Sequence, residues 1–387
     1  MTPDALALAG WVSRLVQIPS VNPHHGGVGE RALAIALAGW LSELGAAEVV
    51  LDEIDVPQNV AAHGPNVYAW FAGRTDRVVA IDAHTDTVTV DNMTDPPFDG
   101  RIEGGFVWGR GALDTKASMG VVCALFESWR DQSLRPQPSV LVVGSAGEEA
   151  GGLRGAIRFR SWAQARALDI DQLVICEPTN CAPIHGHKGA VGMRITVRGV
   201  SAHSSTPEQG RNAIVAAARV VLALEAHNAE LIACHPSTEV GTGTLLTAMI
   251  KGGVAGNVVP DRCSLVVGRR LAPFEDPAVE FARIGAIARA ASPLPIDVEW
   301  AVPGNEGAPA FYQSPESPLI RTLAAATGTV PACAPFGTNA LRYDGFAREK
   351  AVFGPGSIDD AHKATERVAI ADLVRVADAY TSWLQPG

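Results

Sequence analysis

The chain has 387 residues, of which 47% are hydrophobic, so its length suggests about two to three globular domains with substantial cores. Its formal net charge of −10 argues against a nucleic-acid partner bound through a basic stripe. No apolar run reaches the ~20 residues that a membrane span needs, and no basic stretch precedes an apolar core at the N-terminus. We therefore expect neither a membrane segment nor a signal peptide.

The six cysteines are spread from Cys123 to Cys333 and form no Cys-x-x-Cys pair. A secreted protein stabilised by disulfides has a denser framework of cysteines than this. We therefore expect reduced thiols and a cytoplasmic location.

Residues up to about Gly186 alternate between predicted helices and predicted strands. Apolar residues at helical spacing predict helices over residues 4–16, 30–44, 117–129 and 153–168. Continuous apolar runs predict strands over residues 49–54, 67–71, 78–83, 140–143 and 173–176. Helices that alternate with buried strands indicate an α/β sheet that is largely parallel.

The pattern changes after Gly186, where apolar side chains alternate along a half-buried strand over residues 190–199. The elements predicted next are a helix over 212–226, strands over 242–252 and 262–271, helices over 318–327 and 370–384, and a strand over 351–353. We predict an α/β fold with a mixed, largely parallel sheet flanked by helices, and a smaller α+β domain inserted into it. The larger domain would comprise residues 1–186 and 304–387, and the inserted domain residues 187–303.

Two adjacent glutamates, Glu148 and Glu149, follow the predicted strand 140–143 inside a glycine-rich stretch. Neighbouring side chains on extended backbone point to opposite sides. We therefore expect one carboxylate to bind something fixed while the other stays free to move a proton. The alternative for an isolated Glu-Glu pair is a solvated acidic loop.

His84 and Asp86 follow the predicted strand 78–83 and lie two residues apart, so their side chains project the same way on extended backbone. Asp86 is positioned to orient the imidazole and to leave the other ring nitrogen for a metal ion. The alternative is a histidine with a structural role alone.

Three more polar residues stand at strand ends or in loops. Asp114 opens a helix after a glycine-rich turn, Glu177 ends the strand 173–176, and His362 lies in a loop. The ordinary alternatives are a helix cap, a turn residue and an exposed loop histidine, respectively.

Together these positions provide two histidines and three carboxylates, with Glu148 as an additional acid: His84, Asp114, Glu149, Glu177 and His362. The set is sufficient for two divalent cations. Because it contains no thiolate, it suits Zn²⁺, with Co²⁺ or Mn²⁺ as alternatives, better than Cu(I) or an iron–sulfur cluster. Few ligands per ion leave room for water, as in catalytic zinc sites.

Five motifs in this order resemble the co-catalytic dinuclear metallopeptidases and deacylases, a family that includes acetylornithine deacetylase, succinyl-diaminopimelate desuccinylase, aminoacylase and glutamate carboxypeptidase. The motifs are Ala-His-Thr-Asp-Thr-Val at 83–88, Gly-Arg-Gly-Ala-Leu-Asp-Thr-Lys at 109–116, Gly-Glu-Glu-Ala-Gly at 147–151, Glu-Pro-Thr at 177–179, and Gly-Pro-Gly-Ser at 354–357 followed by His362. The resemblance covers nearly the whole chain and implies a zinc-exopeptidase-like fold.

The resemblance also implies roles for the motif residues. Asp114 would bridge two metal ions, with His84 and Glu177 completing one site. Glu149 and His362 would complete the other, and Glu148 would be the general base.

In the inserted segment, the resemblance implies a dimerisation or lid domain and a homodimer. His203 would reach the active site of the partner subunit and polarise the scissile carbonyl. Asn257 and Arg270 match positions that contact substrate in the family. So does the stretch Gly337, Thr338 and Asn339, in which the asparagine stands where the family frequently has aspartate.

The loop from residue 354 to residue 363 looks closest to acetylornithine deacetylases. The resemblance therefore implies removal of a small acyl group from the α-nitrogen of an amino acid such as N-acetylornithine, a step of arginine biosynthesis. The alternatives are a succinyl-diaminopimelate desuccinylase and a metallo-carboxypeptidase or dipeptidase. A further alternative is a non-enzymatic metal- or peptide-binding relative. Glu148 argues against it, because such a protein needs no acid beside Glu149.

Overall fold

The computed structural model describes residues 2–54, 63–150, 152–234, 238–302 and 306–387. These residues form two compact units. The first comprises Met1–His185, Gln313–Ala332 and Thr338–Gly387, and the second comprises Gly186–Tyr312 and Cys333–Gly337. Our predicted domain boundary between residues 303 and 304 lies outside the described residues, and the roles given to the two domains stay predictions.

Along the described residues the helices are α1 (Ala5–Val16), α2 (Arg31–Glu43), α3 (Lys116–Asp131), α4 (Arg154–Ala165), α5 (Ala213–Cys234), α6 (Pro277–Ala291), α7 (Pro318–Thr327) and α8 (Ile370–Leu384). The strands are β1 (Glu48–Asp52), β2 (Asn66–Phe71), β3 (Val78–His84), β4 (Ile102–Glu103), β5 (Phe106–Trp108), β6 (Ser139–Ser145), β7 (Ile170–Ile175), β8 (Ile184–His187), β9 (Gly189–Arg198), β10 (Thr244–Gly252), β11 (Arg262–Leu271), β12 (Ile296–Trp300), β13 (Phe311–Tyr312), β14 (Ala332–Ala334), β15 (Ala347–Val352) and β16 (Arg367–Ala369).

The first unit is built on a sheet whose strands run in the order β1-β2-β6-β3-β7-β15. Strands β6, β3, β7 and β15 are parallel to one another, while β1 and β2 lie antiparallel at one edge. Every residue of β6 is buried, as expected for a central strand covered on both faces. The prediction of a mixed, largely parallel sheet flanked by helices is confirmed.

Helices α1, α3 and α8 pack against one another in the first unit. Helix α1 begins after Asp4, whose carboxylate accepts a hydrogen bond from the Ala7 amide and so caps the helix. On α3, Phe126 and Trp129 are buried in the same hydrophobic core, as predicted. This core also includes residues of the central strands, whose ends carry the polar residues of the site.

The second unit contains an antiparallel sheet in the order β10-β11-β9-β12, with α5 and α6 packed against it. The apolar side chains that alternate along β9 are buried, as the sequence pattern predicts: Val191, Met193, Ile195 and Val197. Within the described residues, the chain contains no helix with the length and apolar character required to cross a membrane.

Two features of the second unit differ from the sequence prediction. Helix α5 continues to Cys234, eight residues beyond the predicted end at 226. Helix α6 was not predicted, although Asp276 caps it through the Val279 amide and Pro277 stands at its first position. An acidic cap followed by proline is a recognised start signal and identifies this helix in retrospect.

Candidate metal centre

Parallel strands of the first unit bring four polar side chains to one edge of the sheet. His84 is the last residue of β3, Glu148 and Glu149 follow β6, and Glu177 follows β7. Strands β3 and β6 are in register, so His84 lies opposite Ser145 at the end of its neighbour. The carboxyl ends of parallel strands form the usual ligand-binding edge of such sheets.

Asp114 lies between the two predicted histidine ligands. Its Oδ1 atom is 2.9 Å from Nε2 of His84, and its Oδ2 atom is 3.2 Å from Nε2 of His362. Asp114 does not cap α3, because Thr115 occupies the position before the helix. The peptide bond between Asp114 and Thr115 is cis. Each oxygen of the Asp114 carboxylate faces a different histidine.

His362 is held in the left-handed region with φ +62, a conformation that is unusual for a residue with a side chain. Its Nε2 atom is also 3.0 Å from Oε1 of Glu149. The His362 side chain is 47% exposed, whereas those of Asp114 and Glu149 are 5% and 7% exposed. Solvent therefore reaches the cluster from the His362 side.

The backbone at Glu148 and Glu149 bends, so our expectation of an extended segment is wrong. Gly147 has φ +73 and turns the chain two residues after the end of β6. Both carboxylates enter the cluster: Glu148 groups with His84 and Glu177, and Glu149 groups with His84 and Asp114, with the potential ligand atoms of each group within 4.8 Å. Position alone therefore does not separate a ligand from a base in this pair.

Asp86 holds in place both His84 and the turn that contains Glu148 and Glu149. Its carboxylate accepts hydrogen bonds from the Glu148 amide at 3.0 Å and from the Glu149 amide at 2.9 Å. The side-chain amide of Asn22 donates to the same carboxylate at 2.7 Å. Nδ1 of His84 lies 3.0 Å from the Asp86 carbonyl oxygen and 3.5 Å from its carboxylate. The ring is thus oriented with Nε2 toward the cluster.

Burial raises the pKa values of three carboxyl groups in the cluster. Burial, with the neighbouring Glu149 charge adding to it, raises the pKa of Glu148 to about 8. Burial and the Asp114 charge raise the pKa of Glu149 to about 7 and that of Glu177 well above its usual value. A cation among these acids would favour their ionised forms.

The pKa values of the two histidines and of Asp114 shift in the directions that favour their charged forms, upward for the histidines and downward for Asp114. Burial alone would raise the pKa of Asp114, but the hydrogen bonds to His362 and His84 hold it below its usual value. Burial would lower the pKa of His84, yet its bonds to Asp114 and Asp86 raise it well above the usual value. Hydrogen bonds with Asp114 and Glu149 raise the pKa of His362 to about 10. Because imidazole binds a metal ion through an unprotonated nitrogen, metal binding here would release protons.

The residues of the cluster fit divalent cations. Two ligand atoms bound to one Zn²⁺ at the usual bond lengths lie about 3.3 Å apart in a tetrahedral arrangement. The contacts of Asp114 and Glu149 with the two histidines measure 2.9–3.2 Å. Nδ1 of His84 is engaged by a backbone carbonyl, which is the usual arrangement of a histidine that ligates through Nε2. The donors are imidazole nitrogens and carboxylate oxygens, a set suited to zinc and similar ions.

The second unit carries three of the other predicted site residues, His203, Asn257 and Arg270, all with exposed side chains. Nδ1 of His203 accepts a hydrogen bond from the Ser205 amide at 3.1 Å, so the neutral ring carries its proton on Nε2. The carbonyl of Asn257 accepts from the Ser204 amide at 3.0 Å, which places Asn257 beside the His203 loop. This loop therefore presents an imidazole N–H donor to solvent.

The predicted substrate contacts at 337–339 are divided between the units. Gly337 belongs to the second unit, whereas Thr338 and Asn339 belong to the first and are buried. The side-chain amide of Asn339 donates to Asp82 at 3.1 Å and to Ser145 at 3.0 Å. These bonds hold Asn339 against the ends of β3 and β6, and its role toward a substrate stays a prediction.

Sequence reasoning missed Asn22, Glu30 and Glu366, which position the site without belonging to its motifs. Glu30 is buried, and its carboxylate accepts hydrogen bonds from the Gly64 amide at 2.7 Å and the Gly147 amide at 3.1 Å. The latter partner is 117 residues away in sequence, so no local pattern identifies the contact.

Comparison with known proteins places the chain in a family. Residues 80–385 match Peptidase family M20/M25/M40. An acetylornithine deacetylase of Myxococcus xanthus is 30% identical over 79% of this chain and 78% of its own length. A succinyl-diaminopimelate desuccinylase of Methylobacterium sp. (strain 4-46) is 30% identical over 97% of this chain and 94% of its own.

A solved structure has a similar fold over most of its length. The M20 family metallo-carboxypeptidase of Sulfolobus solfataricus has a TM-score of 0.75 with this chain at 17% identity, covering 97% of each. The fold and the family match agree with the strand-end cluster of acids and histidines. The chain therefore belongs to Peptidase family M20/M25/M40 and is a metal-dependent hydrolase.

Proposed function

We propose that this protein hydrolyses the amide bond of an N-acyl amino acid to release the free amino acid and a carboxylic acid. The observation that carries the proposal is the position of Asp114, whose two oxygens face His84 and His362 while Glu148 stands beside them. A carboxylate that faces two histidines, with a further acid nearby, is an arrangement suited to metal-assisted hydrolysis.

Two divalent cations would occupy the cluster, Zn²⁺ in the first instance and Co²⁺ or Mn²⁺ as alternatives. Asp114 would bridge them, with His84 and Glu177 on one ion and Glu149 and His362 on the other. When bound, such ions supply Lewis acidity, which acidifies water and polarises an acyl carbonyl. The buried acids and their raised pKa values support the binding of positive charge here.

Glu148 would act as the general base. Its carboxylate would take a proton from the attacking water and pass it to the leaving nitrogen of the amino acid. A base of this kind works best with a pKa near the operating pH; burial raises the pKa of Glu148, and bound cations would lower it again. Asp86 would hold the Glu148 amide, and hence the carboxylate, in place.

The second unit would contribute from a partner subunit of a homodimer. The exposed Nε2–H of His203 is free to donate to the oxyanion that develops at the scissile carbonyl. Asn257, adjacent to it, and Arg270 would bind the substrate, with the guanidinium suited to the carboxylate of an amino acid. Gly337, Thr338 and Asn339 would complete the substrate site.

The favoured substrate is an N-acetylated amino acid such as N-acetylornithine. The loop at 354–363 and the similarity to the Myxococcus xanthus acetylornithine deacetylase support it. The second candidate is a succinyl-diaminopimelate desuccinylase, because the relative of that name matches 97% of this chain at the same identity. The fold similarity to a metallo-carboxypeptidase keeps peptides as a third class to assay.

A substrate panel tests the proposal. The metal-stripped protein is loaded with Zn²⁺ or Co²⁺ and assayed on N-acetylornithine, N-succinyl-diaminopimelate and dipeptides with a free C-terminal carboxylate. The highest kcat/KM on N-acetylornithine supports a deacetylase, and the highest value on the succinylated substrate supports the second candidate. A fully loaded protein that cleaves none of them contradicts the proposed hydrolysis.

A further inference from the structure

Glu366 is a buried carboxylate that no motif of the candidate site includes. Its Oε1 atom accepts hydrogen bonds from three amides of the turn before α3: Gly111 at 2.8 Å, Leu113 at 3.2 Å and Asp114 at 3.3 Å. Converging backbone N–H groups of this kind form an anion-binding concavity. Here the Glu366 carboxylate is that anion, and it fixes the backbone of Asp114, which lies between the two histidines.

The other oxygen of Glu366 forms an ion pair with Arg110, and both side chains are 1% exposed or less. Arg110 donates in turn to the side-chain oxygen of Asn92 at 2.9 Å. The side-chain amide of Asn92 then donates to the backbone carbonyl of His362 at 2.9 Å. One continuous chain of hydrogen bonds therefore connects the Asp114 turn with the His362 loop.

Neither Asp114 nor His362 is held by a regular element, so these contacts decide where the two side chains lie. His362 has φ +62, a conformation that is unfavourable for a non-glycine residue and persists where its surroundings impose it. Four residues later, Glu366 leads directly into β16, which pairs with β5 through Arg367 and Trp108. The end of the His362 loop is thus anchored to the segment that precedes the Asp114 turn.

We propose that Glu366 is a positioning residue of the metal centre, which holds Asp114 and His362 at the separation that one cation requires. The inference rests on the proposed metal site. The ion between Asp114, Glu149 and His362 depends on this network. The other ion shares only Asp114 with this network. Its remaining ligands, His84 and Glu177, stand at strand ends, so its binding depends less on Glu366.

Zinc titration of the metal-stripped protein by calorimetry tests the inference. We expect Glu366→Gln to bind the ion at Asp114 and His362 about 10–100-fold more weakly, the usual effect of losing an outer partner of a ligand. The other ion should bind within about threefold of the wild-type affinity, because β3 and β7 carry its remaining ligands.

A matched control is Glu280→Gln in the second unit, where Glu280 is also buried and paired with the buried Arg269. It removes the same charge from a similar ion pair and should leave both zinc affinities unchanged. Glu366→Gln with both affinities at the wild-type level would overturn the inference. A wild-type protein that binds no zinc would instead overturn the metal centre itself.

A second variant decides the question if Glu366→Gln does not fold. Asn92 is exposed, so Asn92→Ala removes the bond to the His362 carbonyl and leaves the Arg110–Glu366 pair in place. We expect the same ion to bind at least about threefold more weakly. Unchanged zinc binding in Asn92→Ala would show that the network does not position His362.

Discussion

At the scale of single residues, Glu148 and Glu149 are neighbours to which the proposal assigns different tasks. Both residues are partly buried, and both have raised pKa values. Glu149 contacts His362 at 3.0 Å, whereas the Glu148 carboxylate groups with His84 and Glu177. Substitution by the isosteric amide distinguishes a proton carrier from a ligand, because a neutral amide cannot accept the proton and binds a metal ion more weakly than a carboxylate.

We expect Glu148→Gln to retain both metal ions and to lose about 10²–10⁴-fold in kcat, the range for removal of a general base. Metal content by mass spectrometry and steady-state kinetics measure the two effects. Glu149→Gln is the matched comparison, and it should lose metal as well as activity. If Glu148→Gln also loses a metal ion, Glu148 is a ligand and the base must be sought elsewhere.

At the scale of elements, the turn after β6 is held in shape by two carboxylates that are distant in sequence. The Gly147 amide is bound by Glu30, and the next two amides are bound by Asp86. A side chain at position 147 would have its Cβ atom 2.9 Å from the buried ring of His63. The turn therefore requires glycine both for its φ of +73 and for space.

Gly147→Ala should lower turnover by about 100-fold, because a displacement near 1 Å at a catalytic group has such effects. Gly104→Ala is its control, since Gly104 has a similar φ of +61 but open space around it. Both substitutions should lower the free energy of unfolding by about 1–2 kcal/mol through backbone strain. Chemical denaturation and kinetics separate the two contributions, and equal turnover in the two variants would contradict the packing argument.

Elements with a strong periodic pattern were predictable from the sequence. The central strands β3 and β6 are continuous apolar runs, and α7 and α8 have the predicted bounds. Helix α6 was missed because its apolar residues show only a weak helical period, although the sequence contains its N-terminal cap. The short strands β4 and β5 have too few residues for a period to appear.

Within the site, the motif residues were predictable because each follows a recognisable strand or turn. The bend at Glu148 and Glu149 was not, because its shape depends on Glu30 and Asp86, which are distant in sequence. Glu366 was missed for the same physical reason. A buried carboxylate satisfied by remote backbone amides leaves no local pattern.

At the scale of the whole molecule, the candidate ligands all belong to the first unit, although they extend from residue 84 to residue 362. Zinc should therefore increase protection from hydrogen exchange in segments around His84, Asp114, Glu149, Glu177 and His362, because a ligand stabilises the state that binds it. Hydrogen-exchange mass spectrometry with and without zinc measures this. The sheet of the second unit should change little, and protection confined to that sheet would contradict the proposed ligand set.

The proposed homodimer makes a prediction about mixed subunits. Glu148→Gln and His203→Ala should each be nearly inactive, but a mixed dimer has one site in which both groups are intact. Random exchange of equal amounts should restore about a quarter of the wild-type activity if the two-fold assembly shares its histidines.

The control for this experiment is a mixture of Glu148→Gln with Glu149→Gln. Both substitutions damage the same site in their own chain, so exchange produces no complete site and no activity should return. If the first mixture is no more active than the sum of its parts, His203 does not act in the partner subunit. The assays require only the purified variants and the preferred substrate.

The first unit is assembled from both ends of the chain, with the second unit between them. During synthesis, His84 leaves the ribosome well before His362, with a delay of roughly tens of seconds at ordinary rates of elongation. A nascent chain can therefore present His84, Asp114 and Glu177 to cellular metal before Glu366 and His362 exist. We expect the second cation to be captured only after the segment with His362 and Glu366 has left the ribosome, so that the emergence of this segment sets the earliest moment at which the enzyme becomes active.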